Sequence, residues 1–371
     1  MHRHLASTPQ ALASAAIRVP QSVRALPTIA GLALALPEHR VDQERTVAEL
    51  ARLFPEENRE FIAGIVHHSG VRTRHLALPP ERLLALQDFT ARNATWLEIA
   101  VELCARAGAE ALAQAGIRAH EVDAIVDVSC TGLAIPALDV HLAPRLGLRP
   151  DCLRIPISAA GCAGGALGLN LSATLATDRT VLLLAVELCT LAFVPGETDR
   201  ANLVAGALFG DGAAALLLRP GGPGTRIVAA GSHLFPNTRH AMGFEVGSHG
   251  LRIRLDRSLP VMLRRDLRPA VESFLVTHGY QLADVGLHLV HTGGRRVLDV
   301  YEEIFELPED GLRPSREALA RYGNLSSASV FTVIHEAERL GMRPPRGKLA
   351  LAVAFGPGLS AEMLLFEDFG G

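Results

Sequence analysis

Three side chains in this sequence combine into acyl-transfer chemistry. Cys162 stands in Ile157-Ser158-Ala159-Ala160-Gly161-Cys162-Ala163-Gly164-Gly165-Ala166, where an apolar strand-like run (Leu153–Ile157) gives way to a helical one over 166–176. Small residues let the chain turn tightly and let a substrate come close to the sulfur. A cysteine at a helix N-terminus also feels the positive end of the helix dipole, which favours the thiolate. The alternative is a buried cysteine packed as a small apolar residue. His291 ends a buried-strand pattern and precedes Thr292-Gly293-Gly294, while Asn324 lies in Tyr322-Gly323-Asn324-Leu325-Ser326-Ser327-Ala328 at a helix start. Taken singly, one reads as a satisfied core histidine and the other as an N-cap. Taken together, Cys162 accepts an acyl group, His291 stabilises its thiolate as an ion pair, and His291 with Asn324 supplies donors to a developing oxyanion.

The elements that must position these groups are read from periodicity. Helical spacing runs over 46–54, 96–115 and 261–278, and strand-like runs cover 124–128, 181–185, 213–218, 287–290 and 349–354. Strands alternating with long helices predict an α/β fold. The densest breaker cluster, Pro220-Gly221-Gly222-Pro223-Gly224, marks a lobe boundary, giving a leader over 1–26, a first half over 27–220 and a second over 221–371. The halves share landmarks. Val122 to Gly132 lines up with Ala283 to Gly293, so Cys130 stands opposite His291. Gly161-Cys162 aligns with Gly323-Asn324, and Phe209-Gly210-Asp211-Gly212 with Phe355-Gly356-Pro357-Gly358. Three matches in the same order predict a duplicated fold with pseudo-twofold symmetry, whose loops bring Cys162, His291 and Asn324 together.

Composition narrows the function. The chain has 371 residues, 49% of them hydrophobic, and a net charge of −3, which suits a large core and argues against nucleic acid as a partner. Five cysteines without CxxC spacing fit neither a disulfide framework nor a zinc site and point to a reducing cytoplasm. No apolar run reaches membrane-spanning length: 181–186 stops at Glu187 and 349–355 at Gly356. The first two dozen residues carry His2, Arg3, His4, Arg18 and Arg24 with no acid, and read as a flexible leader.

The motifs around the three chemical residues, with Leu208-Phe209-Gly210-Asp211-Gly212-Ala213-Ala214 and Phe355-Gly356-Pro357-Gly358, resemble the chalcone synthase family from about Pro27 to the C-terminus. These are the type III polyketide synthases. The resemblance implies a thiolase fold of two pseudo-symmetric α/β halves, layered αβαβα, assembled as a homodimer. It implies acyl-CoA and malonyl-CoA as substrates and no cofactor. Cys162 matches the nucleophile, and His291 with Asn324 the pair that stabilises the enolate left by decarboxylation. Phe209 matches a gatekeeping aromatic; the second gatekeeper falls near Ile253, a departure that leaves the gate less aromatic. Ile135 matches a residue whose loop reaches into the partner's cavity, and Gly356, Pro357 and Gly358 match the loop that shapes the cyclisation cavity. Cys130 matches a cavity-wall residue that affects chain length in bacterial relatives. Arg72 and Arg74 are candidates for the coenzyme A phosphates, with solvated surface charge as the alternative.

Product identity is read from wall volume. Ala192 replaces a common threonine, and Ala159 and Ala160 precede the nucleophile, so the cavity has room for an alkyl chain. This favours a fatty acyl starter and an alkylpyrone or alkylresorcinol product. Alternatives are a malonyl-CoA-only synthase of phloroglucinol or tetrahydroxynaphthalene type, a ketoacyl synthase III of fatty acid synthesis, and a non-catalytic acyl-binding protein. The ketoacyl synthase typically carries His-Gln-Ala-Asn where this chain has His291-Thr292-Gly293-Gly294, and it lacks the Gly356-Pro357-Gly358 loop.

Overall fold

The computed structural model describes residues 25–86, 88–192, 199–247 and 250–370. Residues 1–24, nearly all of the expected leader, lie outside the described residues. Nine strands form the principal sheet: β1 (Pro27–Ala35), β2 (Ala124–Val128), β3 (Leu153–Ile157), β4 (Val181–Leu188), β5 (Asp211–Pro220), β6 (Thr225–Leu234), β7 (Val285–Val290), β8 (Leu349–Gly356) and β9 (Ser360–Glu367). Their order is β7-β8-β9-β6-β1-β5-β4-β2-β3.

The duplication inferred from sequence is visible in this order. The parallel pair β2–β4 repeats as β7–β8, the antiparallel pair β4–β5 as β8–β9, and β5–β1 as β9–β6. Among the described residues the two half-sheets meet only at β1 and β6, through Thr28 opposite Arg226 and Ile29 opposite Thr225. Such a short junction lets the half-sheets diverge and admit a helical layer between them. The breaker cluster at 220–224 is the turn from β5 to β6.

The intervening layer is made by α4 (Gly164–Leu175) and α7 (Ser329–Arg339), the helices that follow Cys162 and Asn324. Helix α4 touches strands of both half-sheets, and α7 packs on α4 as well as on β1, β7 and β8. Being enclosed on all sides, α4 carries no amphipathic stripe; Gly164, Gly165 and Gly168 bring it close to its neighbours. One core unites α4, α7 and the inner faces of both half-sheets. A second lies under α2 (Phe89–Ala115) and α3 (Leu138–Leu146), and a third under α5 (Leu259–Thr277) and α6 (Arg295–Phe305). The result is the αβαβα layering expected. Strands β4 and β8 are buried on both faces, which explains their unbroken apolar runs.

The periodic segments are found as helices: α1 (Gln43–Leu53), α2 and α5. Helix α2 begins earlier than its apolar pattern because Asp88 caps it, accepting from Ala91 N–H, while its first turns are mostly polar. From Trp96 onward Ala100, Leu103, Ala107 and Ala111 form the helical stripe that binds it to β1, β4 and β5.

Candidate active site

The chain reaches Cys162 through a single 3-10 turn, Gly161–Ala163, immediately before α4. This turn depends on glycine. Gly161 has φ +56°, and a Cβ there would lie 2.4 Å from Pro357. Gly161→Ala combines left-handed strain with a collision, so we expect a loss of about 2–4 kcal/mol of stability. Urea unfolding measures this, and an unchanged midpoint would contradict the assigned geometry.

Cys162 is 9% exposed, and the Asn324 side chain and the Ser326 hydroxyl hydrogen-bond its sulfur. The Asn324 amide has a defined orientation. Its Oδ1 accepts from Ser326 N–H (2.8 Å) and Ser329 Oγ (2.9 Å), which turns the NH2 group toward the sulfur. Asn324 thus precedes its helix, as expected, and its amide faces the Cys162 sulfur as well as the backbone. Thr292 Oγ1 lies 3.0 Å from both Gly323 O and Ser329 Oγ, tying the His291 loop to the Asn324 loop. His291 is 2% exposed and its Nδ1 accepts from Phe355 N–H (3.3 Å), so its proton sits on Nε2.

Burial works against the expected thiolate–imidazolium pair. Burial pushes the Cys162 thiol up to about 11; the Ser326 bond opposes the rise and the Glu187 carboxylate adds to it. Burial also holds His291 down at about 4. A helix N-terminus is worth typically 0.3–1 kcal/mol, and the desolvation of a fully enclosed thiol exceeds it. Both shifts favour the neutral forms, a thiol and an imidazole whose proton is on Nε2.

Behind the nucleophile lies a carboxylate that sequence reading passes over as the end of an apolar strand. Glu187 is fully buried and accepts from Ser129 Oγ (3.3 Å), Cys130 N–H (3.1 Å), Thr131 Oγ1 (2.8 Å) and Ser327 Oγ. Burial raises its pKa, against the pull of these donors. It joins the turn after β2 to the turn before α7. The Cys130 thiol donates to Glu187 Oε1 (3.4 Å) and lies 3.4 Å from Ser326 Oγ, while Thr131 is the residue of that turn in the cavity wall. Burial and Glu187 push the Cys130 thiol well above its ordinary value.

Cys162 opens onto a cavity. Phe209, Ile253, Ala192 and Pro357 line it as expected. Gly356 and Gly358 build the turn without reaching the wall: Gly356 packs on Ala163, and Gly358 N–H donates to Met242 O (3.1 Å). Ala159 and Ala160 are absent from the wall, so they contribute no room to it. Ile253 pairs with Phe244 across a hairpin, and Phe244 also lines the cavity, so an aromatic stands beside Ile253 by a register that sequence alone does not give. An apolar face of α1 and of Pro80–Ala85 adds Leu50, Leu53, Leu83 and Leu84.

Of the two arginines expected to meet coenzyme A, Arg74 lies in the cavity wall and Arg72 outside it. Arg74 is 7% exposed and donates from Nη1 to Phe209 O (2.8 Å), beside buried Asp211. Burial lowers its pKa to about 10, with Asp211 opposing. It anchors the gate backbone. Gly210 N–H in turn donates to Asn324 O (3.0 Å) and Asn324 N–H to Leu208 O (2.9 Å), so gate and amide share one bridge. Arg72 is exposed and paired with Glu317 (2.9 Å), outside the cavity wall. Ile135 is fully exposed.

A divergent pair of half-sheets enclosing two helices, with a cysteine before one and an asparagine before the other, defines a condensing enzyme of the thiolase fold. The chain matches the N-terminal domain of chalcone and stilbene synthases over residues 15–222 and their C-terminal domain over 226–369. It belongs to the chalcone and stilbene synthase family, the type III polyketide synthases. It is 40% identical to 1,3,6,8-tetrahydroxynaphthalene synthase of Streptomyces peucetius, over 92% of this chain and 93% of that protein. It is 29% identical to phloroglucinol synthase of Pseudomonas fluorescens over 89% of this chain and 96% of the relative. The crystal structure of 1,3,6,8-tetrahydroxynaphthalene synthase from Streptomyces coelicolor superposes with a TM-score of 0.87 at 31% identity, covering 91% of this chain and 98% of that one. The chain is an acyl-transferring enzyme that uses coenzyme A thioesters and needs no further cofactor. This leaves aside the ketoacyl synthase III and non-catalytic readings.

Proposed function

We propose that the chain makes a tetrahydroxynaphthalene-type product from malonyl-CoA alone. The carrying observation is the 40% identity, over nearly the whole chain, to a synthase of that product. In loading, the Cys162 sulfur attacks the starter thioester carbonyl. The bond to the coenzyme A sulfur breaks, and the thiol proton passes to the departing coenzyme A. In extension, malonyl-CoA loses carbon dioxide and the freed electron pair becomes an enolate. His291 Nε2–H and the Asn324 NH2 group donate to the enolate oxygen. The enolate carbon then attacks the acyl group on Cys162, releasing the sulfur for the next transfer. Donors fixed in advance at the site of developing charge give most of the rate.

The apolar wall of Leu50, Leu53, Leu83 and Leu84 favours a second reading, in which a fatty acyl chain primes the enzyme. A relative at 28% identity is named an alpha-pyrone synthesis polyketide synthase-like protein of Mycobacterium tuberculosis. Purified protein given labelled malonyl-CoA, with and without lauroyl-CoA, separates the readings by mass spectrometry. The first expects a hydroxylated naphthalene in both reactions; an alkylpyrone or alkylresorcinol that displaces it would establish the second.

We also infer a homodimer in the cytoplasm. Leu133 is 61% exposed, Ile135, Val140 and Leu153 are exposed as well, and β3 ends the sheet, so apolar side chains and a sheet edge are available in this half to a second copy. All five cysteines are free, as a reducing compartment requires. No helix among the described residues is long and apolar enough to cross a membrane.

A further inference from the structure

The segment carrying Ile135 is held by α2. Asn93, near the start of that helix, forms a reciprocal pair with one peptide unit of the segment. Its Nδ2 donates to Leu133 O (2.8 Å) and its Oδ1 accepts from Leu133 N–H (2.8 Å). One turn along the same face, Trp96 donates its indole N–H to Thr131 Oγ1 (3.3 Å). The Trp96 ring closes over Gly132 so tightly that a Cβ there would lie 2.0 Å from it. Two side chains on a helix bound to the sheet thus fix three consecutive residues. At one end is Thr131, in the cavity wall and bonded to Glu187; at the other is Leu133, two residues before fully exposed Ile135.

We propose that Asn93 is a positioning residue that sets how far Ile135 projects into the cavity of a second copy, and through that the chain length at which product leaves. This rests on the homodimer reading. The chemistry of the amide explains the residue type. Asparagine offers a donor and an acceptor side by side, which matches the C=O and N–H of one residue. Alanine offers neither, and aspartate accepts from Leu133 N–H but sets a second oxygen against Leu133 O. Glutamine keeps both groups, one methylene further out. Thr131 stays held by Glu187 and Trp96, so a change at Asn93 moves the exposed end of the segment more than the cavity wall.

The test compares Asn93→Ala, Asn93→Asp and Asn93→Gln with the wild type. Sedimentation gives assembly, mass spectrometry gives acyl loading on Cys162, and chromatography gives the ratio of truncated lactones to full-length product. Asn93→Ala and Asn93→Asp are expected to stay dimeric and load normally while that ratio rises about fivefold, the equivalent of one net hydrogen bond. Asn93→Gln, which keeps both groups one methylene further out, should bring the ratio only part of the way back to the wild-type value. Mixed dimers then locate the effect. One subunit carries Cys162→Ala with Asn93→Ala, and the other is native, so the sole active site faces a disturbed loop from its partner. The shifted ratio is expected to persist. An unchanged ratio in dimeric Asn93→Ala, or a shift seen only when both native Cys162 and Asn93→Ala are in one chain, would overturn the proposal. A monomeric wild-type protein would overturn it together with the dimer reading beneath it.

Discussion

Cys162→Ala should abolish polyketide formation, lowering it on the order of 10⁴-fold or more, as removal of a covalent nucleophile does elsewhere. Malonyl-CoA should still lose carbon dioxide in this variant, because the enolate needs only the two donors and no sulfur. The contrast follows from the division of labour in the site. Cys162 is the thiol bonded to the asparagine amide at the cavity wall. Two other thiols lie near it and neither is placed to take over. Cys130 donates to Glu187 and is pushed well above its ordinary pKa by burial and that carboxylate. Cys189 lines the same cavity, but burial with Glu187 and Asp211 holds it protonated as well. Product chromatography beside a carbon dioxide assay measures both halves of the expectation. Surviving product in Cys162→Ala would move the acylation site to another cysteine and refute the assignment.

Asn324→Ala should remove one of the two enolate donors and slow decarboxylation by about 10²–10³-fold, or roughly 3–4 kcal/mol of barrier. Asn324→Asp should be at least as damaging. A carboxylate satisfies Ser326 N–H and Ser329 Oγ but sets negative charge against the enolate. The loss should fall on the decarboxylation rate while Cys162 remains in place, and a thermal melt separates it from unfolding. The companion donor adds a pH expectation. His291 is depressed to about 4 by burial, so above that value it is neutral with its proton on Nε2. Wild-type decarboxylation should therefore show no histidine titration across the neutral range, and the acid limb should appear only near the depressed value. An inflection at the ordinary histidine pKa would mean that the ring is charged or solvated in the working enzyme. Decarboxylation undiminished in Asn324→Ala would remove the amide from the chemistry.

How much of this could be read from sequence depended on how local each signal was. The turn at Cys162 was legible because strand, small residues and helix follow one another within a short stretch. Asn324 and His291 were legible because the duplication sets each against a landmark in the first half, and β7 and α7 do repeat β2 and α4. What escaped was set by residues far apart in the chain. The helix N-terminus argued for a thiolate, but burial of the sulfur and the distant Glu187 carboxylate raise its pKa against the Ser326 and Asn324 bonds that would favour one. Arg74 read as a phosphate ligand, and its partner is a backbone oxygen 135 residues away. Glu187 ended an apolar run and gave no sign that four neighbours would donate to it. Phe244 stands opposite Ile253 only once the hairpin register is known. Small side chains at Ala159 and Ala160 suggested an open wall that those residues do not form, whereas the leucines of α1 do.

The proposed mechanism has one thiol, Cys162, carrying the growing chain while the amide of Asn324 and the imidazole of His291 open malonyl-CoA. Its most direct test is a brief exposure of the protein to labelled malonyl-CoA, followed by acid quench, digestion and mass spectrometry of all five cysteine peptides. The expected result is label on the Cys162 peptide alone, as acyl groups that lengthen with exposure time and vanish in Cys162→Ala. Label on the Cys130 or Cys189 peptide in its place, or product formed with no acyl group on any cysteine, would contradict it.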